Sequence, residues 1–274
     1  MERRIDEILG GARDAGKTVL TPYLCAGFPD NEAFEPMLAA CGQAGCSLAI
    51  IGLAHRGAIV EGTQVAAAMA SVVARGTTID ATLEQVRRAR AVGAVSGKFG
   101  LVAAASASMM RRDKEPGPGG FMSRAKAAGF DAVLAVDVPL EETGPYRVAA
   151  DEAGVQFPML VSTTTPQPRM AEIAKVATGF VLLLSRAGGA SADLANAASR
   201  LRSVAQTPIL IGWDIGSVGQ VRTATEHGDG VVVAGPLARR VANATGKHAG
   251  ELLGEFVREL SAGLSAARPT GGAA

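Results

Sequence analysis

Cysteine, histidine and aromatic residues are scarce in this chain, and each scarcity excludes a class of chemistry. Of 274 residues only three are cysteine, and the spacing of Cys25, Cys41 and Cys46 matches no metal-ligand or redox motif. They are read as small core residues of a protein in the reducing cytoplasm. His55, His227 and His248 are scattered without ligand spacing, so no metal site is expected. An excess of one charge is missing as well: 27 Lys and Arg stand against 26 Asp and Glu, a formal net charge of +1. That balance gives no reason to expect a nucleic acid or an anionic membrane as partner. No uninterrupted apolar run is long enough to span a bilayer. Met1-Glu-Arg-Arg-Ile5 has no apolar stretch behind it, so no signal peptide is expected.

What is present is a chain 48% hydrophobic but only 4% aromatic, with the size of one large α/β barrel or two small domains. Short apolar runs alternate with longer helical patterns from end to end. The candidate strands are Val19–Ala26, Ser47–Ile51, Phe99–Ala104, Ala132–Val136, Pro158–Val161, Phe180–Leu184, Pro208–Ile211 and Gly230–Val233. They lack clean alternation, as expected when both faces of a parallel sheet are buried. Ala44-Gly45, Ala128-Gly129 and Ala153-Gly154 read as helix stops. Asp30 is a candidate N-cap of the following helix, and Pro36 should kink that helix or mark its first turn.

About eight βα units predict a closed (β/α)8 TIM barrel over residues 1–265. The rival is an open doubly wound sheet, but no Gly-x-Gly-x-x-Gly follows the first strand. Ile5, Ile8 and Leu9 fall on one face of an N-terminal extra helix, which is expected to plug the barrel bottom. Residues 266–274 read as a disordered tail. Arg111–Gly119 is polar and rich in Pro and Gly, and is expected to be a mobile loop on the active-site face.

The most informative stretch is Gly45-Cys-Ser-Leu-Ala-Ile-Ile-Gly52, running on to Val60-Glu61-Gly62. It reads as a buried strand emptying into a Gly-containing loop, where catalytic groups of a βα protein usually stand. Yet the strand ends in Ile50 and Ile51, with no acid, base or nucleophile.

Three segments, in order and register, resemble the tryptophan synthase α-chain family: Thr21-Pro-Tyr-Leu-Cys-Ala-Gly-Phe-Pro29, Asp137-Val-Pro-Leu-Glu-Glu142 and Leu182-Leu-Leu-Ser-Arg-Ala-Gly188. The resemblance covers nearly the whole chain. It implies a (β/α)8 barrel that cleaves indole-3-glycerol phosphate to indole and glyceraldehyde 3-phosphate in tryptophan biosynthesis. It also implies that no cofactor is needed, and that indole passes to a pyridoxal-phosphate β-chain. Such retro-aldol cleavage needs an acid for the indole ring and a base for the glycerol hydroxyl. The family places a Glu at the end of the second strand and an Asp in the next loop. Here those positions are Ile50 and Glu61, and the third carboxylate, Asp137, is kept. Glu61 and Asp137 are therefore the catalytic candidates.

The resemblance further implies a phosphate site built from Arg186, Gly188, Ser191, Gly212, Asp214, Gly235 and Pro236. Ser191 and Asp214 stand where the family has Gly, and Pro236 where it has Ser. Proline removes a backbone donor, and a carboxylate repels a phosphate dianion. Ala104 and Leu182 fall where Tyr is common in the indole pocket. The docking loop for a β-chain, Leu53-Ala-His-Arg-Gly-Ala58, has Gly57 at its acidic position.

Three functional readings result: the family lyase, a non-catalytic binding or partner-regulating homologue, and a barrel enzyme with a different, non-phosphorylated ligand. Several residues keep two readings. Glu61 is a catalytic carboxylate or a helix N-terminal acid beside Thr63, and Asp137 a site residue or a helix cap. Arg186 binds an anion or pairs with Asp137 or Asp214. Arg87, Arg88 and Arg90 suit a helix C-terminus. Trp213 walls a ligand pocket or packs on the rim.

Overall fold

Residues buried on both faces of a sheet leave no reason for polar alternation, and the apolar runs of this chain pair side by side as parallel strands. In the computed structural model, which describes residues 3–58, 60–111, 117–185 and 191–264, these are β1 (Val19–Cys25), β2 (Leu48–Gly52), β3 (Gly100–Ala105), β4 (Ala132–Ala135), β5 (Met159–Ser162), β6 (Val181–Ser185), β7 (Ile209–Trp213) and β8 (Gly230–Val233). Each lies within two residues of its sequence expectation. The strand order is β4-β3-β2-β1-β8-β7-β6-β5. The two ends meet through Gln156: it bridges Ala132, its carbonyl accepts the Val133 N–H at 2.9 Å, and its own N–H donates to the Asp131 carbonyl at 2.9 Å. The eight strands thus form the expected barrel.

The helices are α1 (Arg4–Asp14), α2 (Phe34–Gln43), α3 (Thr63–Ala74), α4 (Ile79–Ala91), α5 (Ala107–Arg111), α6 (Pro118–Ala128), α7 (Thr143–Ala153), α8 (Gln167–Val176), α9 (Ser191–Arg202), α10 (Val218–Thr225), α11 (Gly235–Val241) and α12 (Gly246–Ser261). Successive strand residues point to opposite faces. Leu20, Leu24, Ala49, Ile51, Leu101 and Ala103 face the surrounding helices, while Val19, Tyr23, Leu48, Ile50, Val102 and Leu134 fill the barrel.

The N-terminal helix closes the bottom. Ile5 and Leu9 of α1 are buried against the same interior set as Leu48 and Phe180. Gly100 makes this approach possible, because a Cβ there would stand 2.8 Å from Ile8 Cδ1 and from Leu48 Cδ1. Polar contacts fix the helix in place. The Ile5 N–H donates to Gln156 Oε1 at 3.0 Å. Arg4 Nη1 donates to Asp131 Oδ1 at 2.8 Å, Arg90 Nη2 to Asp131 Oδ2 at 3.0 Å, and the Leu101 N–H to the same oxygen at 2.9 Å. Burial pushes the Asp131 carboxyl up, while these donors and charges pull it back. Arg90 therefore serves the barrel bottom through Asp131 and the Gly129 carbonyl, beyond any favourable position near the α4 C-terminus.

Two local expectations change. Asp30 is not the N-cap of α2; that residue is Ala33, and Asp30 Oδ1 instead accepts the N–H groups of Glu32 and Ala33, both at 2.8 Å. Its carboxylate caps the turn leading into the helix. Pro36 then sits in the first turn, where a missing N–H costs nothing. The helix stops are as expected, with Gly129 and Gly154 left-handed after α6 and α7. Residues 112–116 of the expected mobile loop and the tail 266–274 lie outside the described residues. Among the described residues no helix is long and apolar enough to cross a membrane.

Candidate active site

The C-terminal strand ends and the loops after them form the barrel mouth, where side chains from distant parts of the chain converge. Ile50 points inward from β2, in register with Tyr23 of β1 and Val102 of β3, and is wholly buried. The next inward position is Gly52. A Cβ there would collide with the Tyr23 hydroxyl, so the tyrosine ring spans the interior from the level of Ile50 to that of Gly52.

Above this layer lies Glu61, only 2% exposed. Its Oε1 stands 3.3 Å from His55 Nε2, and its Oε2 is buried with no hydrogen-bond partner among the described residues. The other ring nitrogen, His55 Nδ1, is 3.3 Å from the Arg56 carbonyl. Both ring nitrogens therefore face acceptors, which favours the doubly protonated ring. The hydrogen bond to Glu61 raises the His55 pKa most; burial opposes it, and the charges of Glu61 and Asp137 add to the rise. Burial, reinforced by the Glu61 charge, pushes the Tyr23 hydroxyl well up. Burial takes the Cys25 thiol to about 12. Cys25 is thus an inert thiol in the wall of the site.

Glu61 stands at the N-terminal end of α3, one residue before its N-cap. The N-cap of α3 is Gly62, with φ +82°, and the carboxylate just before it turns to His55. Asp137 follows β4, is exposed, and accepts the Ala107 N–H at 2.5 Å. It ties the end of β4 to the start of α5 and still acts electrostatically on His55.

The remaining candidates lie across the mouth. Asp214 follows β7, and its Oδ1 would stand 3.1 Å from a Cβ placed on Gly235, as would the Gln64 side chain. That oxygen is buried with no hydrogen-bond partner among the described residues, and Arg239 Nη1 lies 3.8 Å from it. Pro236 occupies the first turn of α11 and packs so closely on Gly216 that a Cβ there would be 2.7 Å from its Cγ. Gly212 is set by packing, since a Cβ there would be 2.7 Å from Val232 Cβ. The space over Gly235 thus meets a carboxylate, a side-chain amide and a donorless proline. Arg186 and Gly188, and the side chains of Ser191 and Trp213, lie outside the described residues. Ala104 and Leu182 are buried inside the barrel.

The loop to which the resemblance assigns β-chain docking follows β2. His55 turns inward, with its side chain 9% exposed. Gly57 adopts φ +88°, a conformation that disfavours any L side chain, although space around it is open. Sequence reasoning missed His55, Tyr23 and Gln64. The available signal was a titratable ring six residues before Glu61 in one loop. Among the described residues no three His, Cys, Asp or Glu side chains are placed to hold a metal ion.

The comparisons with known proteins agree with this architecture. The family model for the tryptophan synthase alpha chain matches residues 10–262. A tryptophan synthase alpha chain from Picosynechococcus is 29% identical over 268 residues, covering 95% of this chain and 99% of its own. The alpha chain from Gloeobacter violaceus is 30% identical, covering 94% and 93%. The fold is shared with the tryptophan synthase alpha subunit from Legionella pneumophila at TM-score 0.85 and 22% identity, covering 95% and 99%. It is shared also with tryptophan synthase from M. tuberculosis in its aminoacrylate-bound form, at TM-score 0.83 and 22% identity, covering 96% and 99%. With the barrel, its register and a family match over most of its length, this chain belongs to the tryptophan synthase alpha chain family.

Proposed function

We propose that this family member cleaves indole-3-glycerol phosphate weakly or not at all. The observation that carries the reading is Ile50, wholly buried where the resemblance implies the acid. A positioned acid or base contributes about 10²–10⁴ in rate, and an isoleucine contributes none of it. Glu61 and Asp137 remain as the carboxylates of the mouth, with one Asp137 oxygen committed to Ala107. The reading places the protein in the cytoplasm, where its three free, buried cysteines stay reduced.

A second reading, a barrel acting on a non-phosphorylated ligand, is favoured by Asp214. Its carboxylate beside Gly235 would repel a phosphate dianion, and Pro236 offers no N–H to bind one. A β-chain partner is part of the first reading. One structural relative is a tryptophan synthase complex from Pyrococcus furiosus. The inward His55 and the glycine at position 57 make the docking loop differ from the one the family resemblance implies.

The deciding experiment is indole release from indole-3-glycerol phosphate, with and without a tryptophan synthase β-chain. Little or no indole is expected from the chain alone. Turnover at the ordinary enzyme rate of ~1–10³ s⁻¹ would overturn the reading. Stimulation by the β-chain would establish the partnership.

A further inference from the structure

We propose that His55 and Glu61 form a proton-transfer pair that takes over the task for which position 50 has no ionisable group. This rests on the reading that cleavage is weak rather than wholly absent. The argument begins with geometry. The pair joins two side chains of one loop across 3.3 Å, in a setting where His55 is 9% and Glu61 1% exposed at the side chain. Glu61 uses only one oxygen in this contact. Its second oxygen, Oε2, is buried and aimed at no protein donor among the described residues. A buried carboxylate oxygen left in this state awaits a donor from a ligand.

The neighbours set the charge state. The charge of Asp137, at the end of β4, acts on His55, and the charge of Glu61 acts on Tyr23 and Cys25 of β1. Arg75, the C-cap of α3, acts electrostatically on Cys25. The carboxylates and the Arg56 carbonyl all favour an imidazolium, so the pair holds one proton to give and one carboxylate to receive.

Retro-aldol cleavage needs that combination. The hydroxyl that loses a proton and the ring carbon that gains one are two bonds apart in the substrate. His55 Nε2 first gives its proton to the ring carbon, which turns the ring into an electron sink. Glu61 Oε2 then takes the hydroxyl proton as a carbonyl forms, the carbon–carbon bond breaks and its electron pair returns to the ring. Glu61 then passes its proton across to Nε2, which restores both groups. No oxidant, metal or co-reactant enters the balance.

The test is slow indole release in long incubations at high enzyme concentration, measured against pH for the wild type, His55→Gln and Glu61→Gln. In the wild type, release should fall as pH rises through the His55 titration. His55→Gln should lower kcat by at least ~10-fold with little change in KM, and should abolish that pH limb. NMR titration of the chain's three histidines supplies a readout independent of turnover. His55 should titrate at a higher pH in the wild type than in Glu61→Gln. The proposal is overturned if the wild type releases no indole, if His55→Gln leaves rate and profile unchanged, or if His55 titrates alike in both proteins. Wild-type turnover at ordinary rates, lost in His55→Gln, would overturn the weak-activity reading and leave the pair standing.

Discussion

Two buried carboxylates, one at each end of the barrel, are treated in opposite ways. Asp131 at the bottom has both oxygens engaged, by Arg4, Arg90 and the Leu101 N–H. Glu61 at the mouth is more deeply buried, yet one oxygen meets only His55 and the other meets nothing among the described residues. Asp214, also at the mouth, leaves Oδ1 without a hydrogen bond among the described residues. The orphans at the bottom among the described residues, Gln156 Nε2 and Thr207 Oγ1, are a neutral amide and a hydroxyl and not charges. Saturating a buried charge with donors makes it structural, while leaving a lone pair open keeps it available to a ligand. The closed end thus has its buried charge saturated, while the open end, where this architecture usually carries its sites, keeps lone pairs unengaged among the described residues.

That division breaks most visibly through Asp131→Ala. Removing the carboxylate strands two partly buried guanidiniums and a backbone N–H, and should cost about 4 kcal/mol in urea unfolding. A loss below about 1 kcal/mol would show that the bottom is not the anchor described. Next is Leu9→Ala, which empties space in the α1 plug and should cost about 3 kcal/mol by the same measurement. The third change sharpens the mouth. Asp214→Gly with Pro236→Ser removes a repelling carboxylate and restores a backbone donor and a hydroxyl. Calorimetry should then show roughly ten-fold tighter binding of inorganic phosphate, about 1.4 kcal/mol; unchanged binding would mean that these residues do not guard the anion site.

The smallest effect belongs to Glu61→Gln, expected to shift stability by no more than about 1 kcal/mol, because one of its oxygens has no partner to lose. Its signature is in pH. His55 has a raised pKa in the folded chain, so its pairing stabilises the fold fully below the unfolded value near 6.5 and is lost as pH rises through the folded value. In Glu61→Gln, unfolding followed from pH 5 to 9 should show a weaker decline across that window. An identical decline in both proteins would separate His55 from Glu61.

Much of the frame was legible in the residues alone. Eight apolar runs of strand length, glycine helix stops and the one-sided Ile5, Ile8 and Leu9 helix reflect local rules that tertiary packing did not override. Ile50 and Pro236 were legible as departures because the absence of a proton or an N–H is a property of the residue itself. Contacts between separated segments were not. That Asp30 caps a turn before α2, that Arg90 serves Asp131 across 41 positions, and that Tyr23 covers Gly52 all depend on which side chains the barrel brings together. His55 was missed for a related reason. Its spacing to other histidines is uninformative, and only the turn of its own loop brings it to Glu61.

The positive φ of Gly57 decides which side chains this loop can carry. An acidic side chain placed there would sit in left-handed backbone at a cost of roughly 1–2 kcal/mol. The alternative is to refold the loop around it, which would disturb the segment that turns His55 inward. Position 57 is therefore held to glycine by the main chain itself, and a larger residue there would ask the loop that turns His55 inward to change shape.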